Sequence, residues 1–274
     1  ILTPTRELAL QIEGELRKFS RGLRMFSATC VGGVNIHPQI KALSHTNQFV
    51  IGTPGRILDL IKRKNFRTHE VTTVVLDEAD RMLDMRFIQN IKTILSSVPK
   101  KREILFFSAT LTPATRKLAS EFLRDPVMVS VKKSDASKSI RQDIVSYDQS
   151  TKFEVLTELL SRPEFTRVLV FGAMKHSVQK LSQQLLKNNI KSESIHGNKS
   201  HGQRQRALQS FKSGSSRVLV ATDVAARGIH VDNISHVINY DLPSTFEDYI
   251  HRIGRTGRGV EKGMALTFVP KRKF

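Results

Sequence analysis

Three β-favouring apolar residues, Val74-Val75-Leu76, run directly into Asp77-Glu78-Ala79-Asp80. An apolar run that meets carboxylates with no turn signal between them reads as a buried parallel strand whose C-terminal end reaches solvent. That reading confines the chain to α/β architectures, in which ligands sit at the C-terminal edge of the sheet. Asp77 is then a strand-end carboxylate suited to a hydrated Mg²⁺, held through water. Glu78, one residue on, is placed to orient or deprotonate an attacking water. A solvated acidic turn capping the next helix is the competing reading, and only the rest of the chain separates the two.

The rest of the chain repeats the pattern. Apolar residues at helical spacing (Leu8, Ile12, Leu16, Phe19) predict a helix over 6–19, and further helices are expected at 57–61, 88–95 and 115–123. Strands are expected at 25–31, 49–51 and 104–107, closing on Gly32-Gly33, Gly52-Thr53-Pro54-Gly55 and Ser108-Ala109-Thr110. Residues 131–140 are polar and read as a linker. Beyond them strands at 168–171, 192–195, 218–221, 236–240 and 265–269 alternate with helices at 178–186, 204–211 and 246–253. The expectation is two tandem α/β domains with mostly parallel sheets, over 1–130 and 141–274.

The net charge of +19 is shared by both halves, which points to a polyanion touching each. A generic basic surface is the alternative. No apolar run approaches a membrane span, no charged leader opens the chain, and no basic amphipathic helix stands out for a membrane surface. A single cysteine, Cys30, excludes an internal disulfide and a cysteine metal site, and fits a reducing, cytoplasmic setting.

Taken together, the loop segments resemble the DEAD-box RNA helicases nearly end to end. In the first half they are Pro4-Thr5-Arg6-Glu7-Leu8-Ala9, Gly32-Gly33, Thr53-Pro54-Gly55-Arg56, Asp77-Glu78-Ala79-Asp80 and Ser108-Ala109-Thr110. In the second they are Val168-Leu169-Val170-Phe171, His196-Gly197, the run from Ala221 to Gly228, and the run from His251 to Arg258. The segment His196-Gly197-Asn198-Lys199-Ser200 looks most like the bacterial RhlE-type branch. The resemblance implies two RecA-like domains, ATP and Mg²⁺ as ligands, and RNA as the polyanion.

The resemblance also implies roles. The glycine-spaced arginines Arg255 and Arg258 match positions that reach the γ-phosphate of ATP as arginine fingers, a role worth about 10³–10⁵ in rate in other NTPases. On their own such segments are commonly plain phosphate or RNA contacts. With Asp77 and Glu78 they form the expected catalytic set, and Gly228 and His230 join them around the nucleotide. Asp80, Ser108, Thr110 and His251 are expected to couple the domains, and Ser108 has no Ser/His/Asp arrangement that would make it a nucleophile. Asp223 and Arg227 are expected to organise the loop between strand and nucleotide. RNA contacts are expected from Thr5, Arg6, Gly33, Thr53, Arg56, Arg204 and Thr222. Gly, Thr and Arg suit phosphate and ribose contacts, and no aromatic ladder accompanies them, so binding is expected to ignore base sequence and to depend on salt and the 2′-OH.

Three departures qualify the match. The family's adenine-reading glutamine motif and phosphate-cradling loop precede the segment at which this chain opens, and no Gly-Lys-Ser or Gly-Lys-Thr occurs in it. Such a loop supplies the backbone N–H cradle and the phosphate lysine, so the expectation is a truncated fragment that does not hydrolyse ATP alone. His230 stands where the family usually has a ribose-binding aspartate, and His201 where a glutamine usually precedes Arg204 by three residues; Arg86 replaces a common glycine. The expected parent activity is ATP-dependent RNA unwinding by a monomer, and the rival is a non-catalytic RNA clamp that keeps the fold.

Overall fold

The computed structural model describes residues 1–84, 87–130, 140–226, 231–257 and 263–271, with only the backbone of Asp84 and Ala114. Arg86, Arg227, Gly228, His230, Arg258 and the linker residues 131–139 therefore lie outside the described residues. The chain divides into two units, Ile1–Val129 and Ser130–Phe274.

In the first unit the strands are β1 (Ser27–Cys30), β2 (Phe49–Gly52), β3 (Thr73–Leu76) and β4 (Glu103–Phe106). β1 pairs with β2 and β3 with β4, both parallel. Residues 1–3 join the two pairs: Leu2 bridges Gly52 on one side and Leu76 on the other, both in parallel. Leu2 N–H donates to Val75 O at 2.8 Å, and Thr3 N–H to Gly52 O at 2.9 Å. The sheet thus runs β1, β2, residues 1–3, β3, β4.

The helices of this unit are α1 (Arg6–Phe19), α2 (His37–Leu43), α3 (Pro54–Lys62), α4 (Ala79–Asp84), α5 (Ile88–Ser97) and α6 (Pro113–Phe122). Successive strand residues face opposite sides. Ile51 accordingly packs with Ala9, Ile12 and Leu16 of α1, while Val50 packs toward Leu60 of α3 and Ile91 of α5.

The second unit has β5 (Ile140–Tyr147), β6 (Val168–Phe171), β7 (Ser192–Ile195), β8 (Val218–Ala221), β9 (His236–Asn239) and β10 (Gly263–Pro270). They form one parallel sheet in the order β5-β10-β9-β6-β8-β7. Ile140, expected to close the linker, is the first residue of β5 and is buried, because it pairs with Gly263 of β10.

Its helices are α7 (Lys152–Ser161), α8 (Lys175–Lys187), α9 (His201–Lys212), α10 (Asp223–Ala226) and α11 (Phe246–Ile253). Val168 and Val170 of β6 pack with Leu156, Leu181 and Leu185; Leu169 and Phe171 pack with Leu208 and Phe211. Helices on both faces explain why β6, β8 and β9 are buried at every position, and why β6 and β8 read as unbroken apolar runs, while β9 buries His236 and Asn239 at its ends. No helix among the described residues is long and apolar enough to cross a membrane.

Candidate functional site

In the first unit every expected site residue follows the C-terminal end of a parallel strand, so all lie along one sheet edge. The acidic turn leaves β3 with Asp77 N–H donating to Leu2 O at 3.0 Å, which anchors it to the middle of the sheet. Glu78 N–H donates to Asp77 Oδ1 at 2.9 Å, and Glu78 sits at φ 49°, in the left-handed region that non-glycine residues rarely adopt. Ala79 N–H then donates to Phe107 O at 3.0 Å, tying the turn to the end of β4. Burial raises the Asp77 pKa above its ordinary value; the Glu78 N–H opposes the rise, and the charge of Asp80 adds to it.

Asp80 is buried, and each of its oxygens has work. Oδ1 accepts from Arg81 N–H at 3.0 Å; Oδ2 accepts from Thr110 N–H at 2.9 Å and from Thr110 Oγ1–H at 2.7 Å. Ser108 Oγ–H donates to Thr110 O at 2.7 Å. Three residues expected to act together are thus one hydrogen-bonded clasp between the strand ends of β3 and β4.

Along the same edge Thr5 caps α1, its hydroxyl accepting from Leu8 N–H at 3.3 Å. The Arg6 guanidinium lies against Gly33, whose φ of 70° requires glycine. Thr53 is buried at the start of α3. Arg56 turns inward: Nη1 donates to Gln39 Oε1 at 3.0 Å and Nη2 to Val34 O at 3.2 Å. Gln39 in turn donates to Val31 O at 3.1 Å and Asn35 O at 3.2 Å, so the pair shapes the loop that carries Gly33. Gln39 was not singled out in the sequence; its partners are backbone carbonyls of an irregular loop, which leave no pattern.

In the second unit Thr222 follows β8, and its carbonyl accepts from Ala225 and Ala226 N–H at 3.0 and 2.9 Å. Asp223 receives a bidentate contact from Arg252, with Nε–Oδ1 at 2.6 Å and Nη2–Oδ2 at 2.7 Å. Arg252 Nη1 donates to Asn239 Oδ1 at 3.2 Å and Asp241 O at 2.6 Å. The buried Arg252, not singled out beforehand, therefore stitches the ends of β8 and β9 to α11.

His251 occupies the last turn of α11 and is half-buried; Arg255 is buried just beyond it. Arg204 is half-buried in α9, whose start is a capping box between Ser200 and Gln203. His196 is buried, with Nε2 2.9 Å from Gln179 Oε1. Burial holds its pKa below the ordinary value, helped by the charges of Lys199, His176 and Lys175.

Two α/β units with parallel sheets and ligand-type residues gathered at the strand ends define tandem RecA-like domains. Residues 1–118 match the family described as DEAD/DEAH box helicase, and residues 151–260 the helicase conserved C-terminal domain. A DEAD box protein of known structure from Methanococcus jannaschii is 40% identical, with 99% of this chain and 73% of that one covered and a TM-score of 0.53. Saccharomyces cerevisiae Dbp5 bound to RNA and ADP BeF3 is 31% identical, covering 99% and 71%, with a TM-score of 0.87. The DEAD-box ATP-dependent RNA helicase CshA of Bacillus cereus is 43% identical over 100% of this chain and 52% of its own length. The chain belongs to the DEAD-box ATP-dependent RNA helicase family. It spans about half the length of the curated relatives it matches.

Proposed function

We propose that the protein couples ATP binding and hydrolysis to local unwinding of RNA duplexes. The observation that carries this reading is the single sheet edge of the first unit. There the half-buried Asp77 and the Asp80–Thr110 clasp share one row of strand ends with Thr5, Arg6, Gly33 and Thr53. The RNA and ADP BeF3 in the yeast Dbp5 structure support the same ligand pair here.

Asp77 fits a role toward Mg²⁺. Its carboxylate is held in a partly desolvated site that disfavours its charge, a cost that a nearby cation relieves. Among the described residues no cluster of three or more metal-binding side chains accompanies it, so Asp77 would hold the ion through water together with phosphate oxygens. When bound, the ion supplies charge neutralisation at the phosphates. Glu78 orients the attacking water, and Arg255 and Arg258 place positive charge on the transferred phosphoryl group. Gly228 and His230 serve the nucleotide, and His251 in its unit, like the Asp80–Thr110 clasp in the other, serves the coupling of hydrolysis to RNA.

RNA is gripped without regard to base sequence by Thr5, Arg6, Gly33, Thr53, Arg204 and Thr222, with Arg56 acting by shaping the Gly33 loop. Asp223 and Arg227 organise the turn after β8. The protein works as a monomer in the cytoplasm, a setting supported by one buried, unpaired cysteine, Cys30. The RhlE-type branch rests on His196 to Ser200 alone, whereas the relatives carry the name CshA; branch-specific RNA targets are therefore not part of the proposal.

The test joins these residues to an upstream phosphate-cradling loop and measures RNA-stimulated ATP hydrolysis and separation of a short RNA duplex. Both are expected, and both should be lost in Glu78→Gln with RNA binding retained. RNA binding without any turnover would establish the clamp instead.

A further inference from the structure

The opposite edge of the first unit carries its own charge pattern. α3 begins at the buried Thr53 and runs nine residues to Lys62, about 13 Å at 1.5 Å per residue. It ends in Lys62-Arg63-Lys64-Asn65-Phe66-Arg67. This segment is fixed in place. Lys64, at φ 58°, donates its N–H to Ile61 O at 2.9 Å, Phe66 and Val71 pack on the core, and Thr68 Oγ1–H donates to Ser97 O at 2.6 Å. That last bond brings it beside the end of α5, where Lys100-Lys101-Arg102 leads into β4. Glu103 N–H donates to Thr72 O at 2.9 Å and closes the same junction.

Two of these cations are occupied. Arg63 pairs with Asp59 at 2.8 Å, and Arg102 Nη1 donates to Pro99 O at 2.7 Å, just past the end of α5. Lys62, Lys64, Arg67, Lys100 and Lys101 are exposed and have no ion pair among the described residues. The acids nearby are Glu70, which contacts His69 at 3.4 Å, and the exposed Glu103. Among the described residues no large apolar side chain is exposed between Phe26 and Leu105, so this segment offers neither a stacking platform nor an apolar anchor. A predominantly cationic surface held in place by these bonds suits a phosphate backbone.

We infer that Lys62, Lys64, Arg67, Lys100 and Lys101 form an accessory RNA-backbone surface, separate from the strand-end loops. It holds the flank of an RNA whose neighbouring segment occupies those loops, and so deepens the proposed RNA-binding function on which it rests. Its contribution is electrostatic and blind to base sequence.

The experiment titrates the chain with a labelled single-stranded RNA long enough to reach both edges, at several salt concentrations. The variant combines Lys62→Gln, Lys64→Asn, Arg67→Gln, Lys100→Gln and Lys101→Gln; asparagine tolerates the left-handed backbone at 64. Each phosphate contact in a single strand contributes about 0.7 to the slope of log K against log salt. Five lost contacts should flatten it by about 3.5, with at least tenfold weaker binding near 0.1 M salt. A control neutralises the exposed Lys180, Lys187, Lys191 and Lys212 of the second unit. An unchanged slope in the five-site variant, or an equal fall in the control, overturns the inference. A parallel Arg6→Gln variant separates the two readings. Weakened binding there with an intact slope in the five-site variant removes the accessory surface alone. A flattened slope with no effect of Arg6→Gln retains that surface and removes Arg6 from the strand-end reading.

Discussion

Arg252 grips both carboxylate oxygens of Asp223, at 2.6 and 2.7 Å, while the same guanidinium reaches Asn239 and the carbonyl of Asp241. Four oxygens from three residues thus converge on one buried cation. Replacing Arg252 by alanine leaves Asp223, Asn239 and Asp241 without it. Because Asp223 keeps partial contact with solvent, the loss should fall just below the ~3–5 kcal/mol typical of breaking a fully buried pair, at about 2–3 kcal/mol. Lysine cannot reproduce the fork and should recover less than half of that. Urea unfolding of the two variants checks both statements.

Asp80 and Thr110 give a graded series. Thr110→Val removes only the hydroxyl donor and should cost about 1 kcal/mol. Asp80→Asn must turn its amide NH₂ toward one existing donor, and the Arg81 side is the cheaper choice because it keeps both Thr110 bonds. Asp80→Ala should cost about 2 kcal/mol or more, since it strands the Thr110 donors. Thermal melting should rank Asn above Ala; an inverted order would show that the clasp does not hold the two loops together.

The raised pKa of Asp77 has a definite sign in stability. Relative to an ordinary aspartate at 3.8, burial favours the protonated form in the folded state. The stability linked to that proton is therefore complete below about pH 3.8 and is lost as pH rises through the elevated folded value. Asp77→Asn keeps an acceptor for Glu78 N–H and has no charge to desolvate. It should be more stable than wild type near pH 7, with the gap closing toward about pH 3. Unfolding across that range decides the matter; a gap that widens in acid would contradict the burial argument.

Gly33→Ala should lower stability by about 1–2 kcal/mol, because φ 70° is penalised for any residue with a Cβ. The added methyl also displaces the Arg6 guanidinium. RNA affinity should therefore fall by more than the stability loss explains, which binding measured well below the melting temperature will reveal.

Much of this arrangement was legible from the chain. The helix at 6–19 and the strands at 168–171 and 218–221 match their observed bounds, because a clean apolar pattern marks each; the strand at 192–195 matches too, although only Ile195 in it is apolar. β5 was not legible. It is an edge strand with exposed Arg141, Gln142 and Asp143, so no alternation announces it. α7 and α2 were also missed, α2 being short and buried mainly through Gln39. Strand ends marked Asp77, Thr53 and Thr222 well, since apolar runs stop abruptly there. The Arg252 contact was hidden because its partner lies 29 positions upstream with no local signature.

Leu2 sits between two strand pairs that meet nowhere else among the described residues, touching Gly52 on one flank and Leu76 on the other. The first unit is therefore closed like a zip whose slider is a three-residue peptide. A two-stranded ribbon is marginal alone, so weakening this seam, as Leu2→Ala should by about 3 kcal/mol, would part the β1–β2 half from the β3–β4 half before either melts. Assembly of that seam must wait for chain segments some fifty and seventy positions away to arrive together, which makes it a natural bottleneck in reaching the native state.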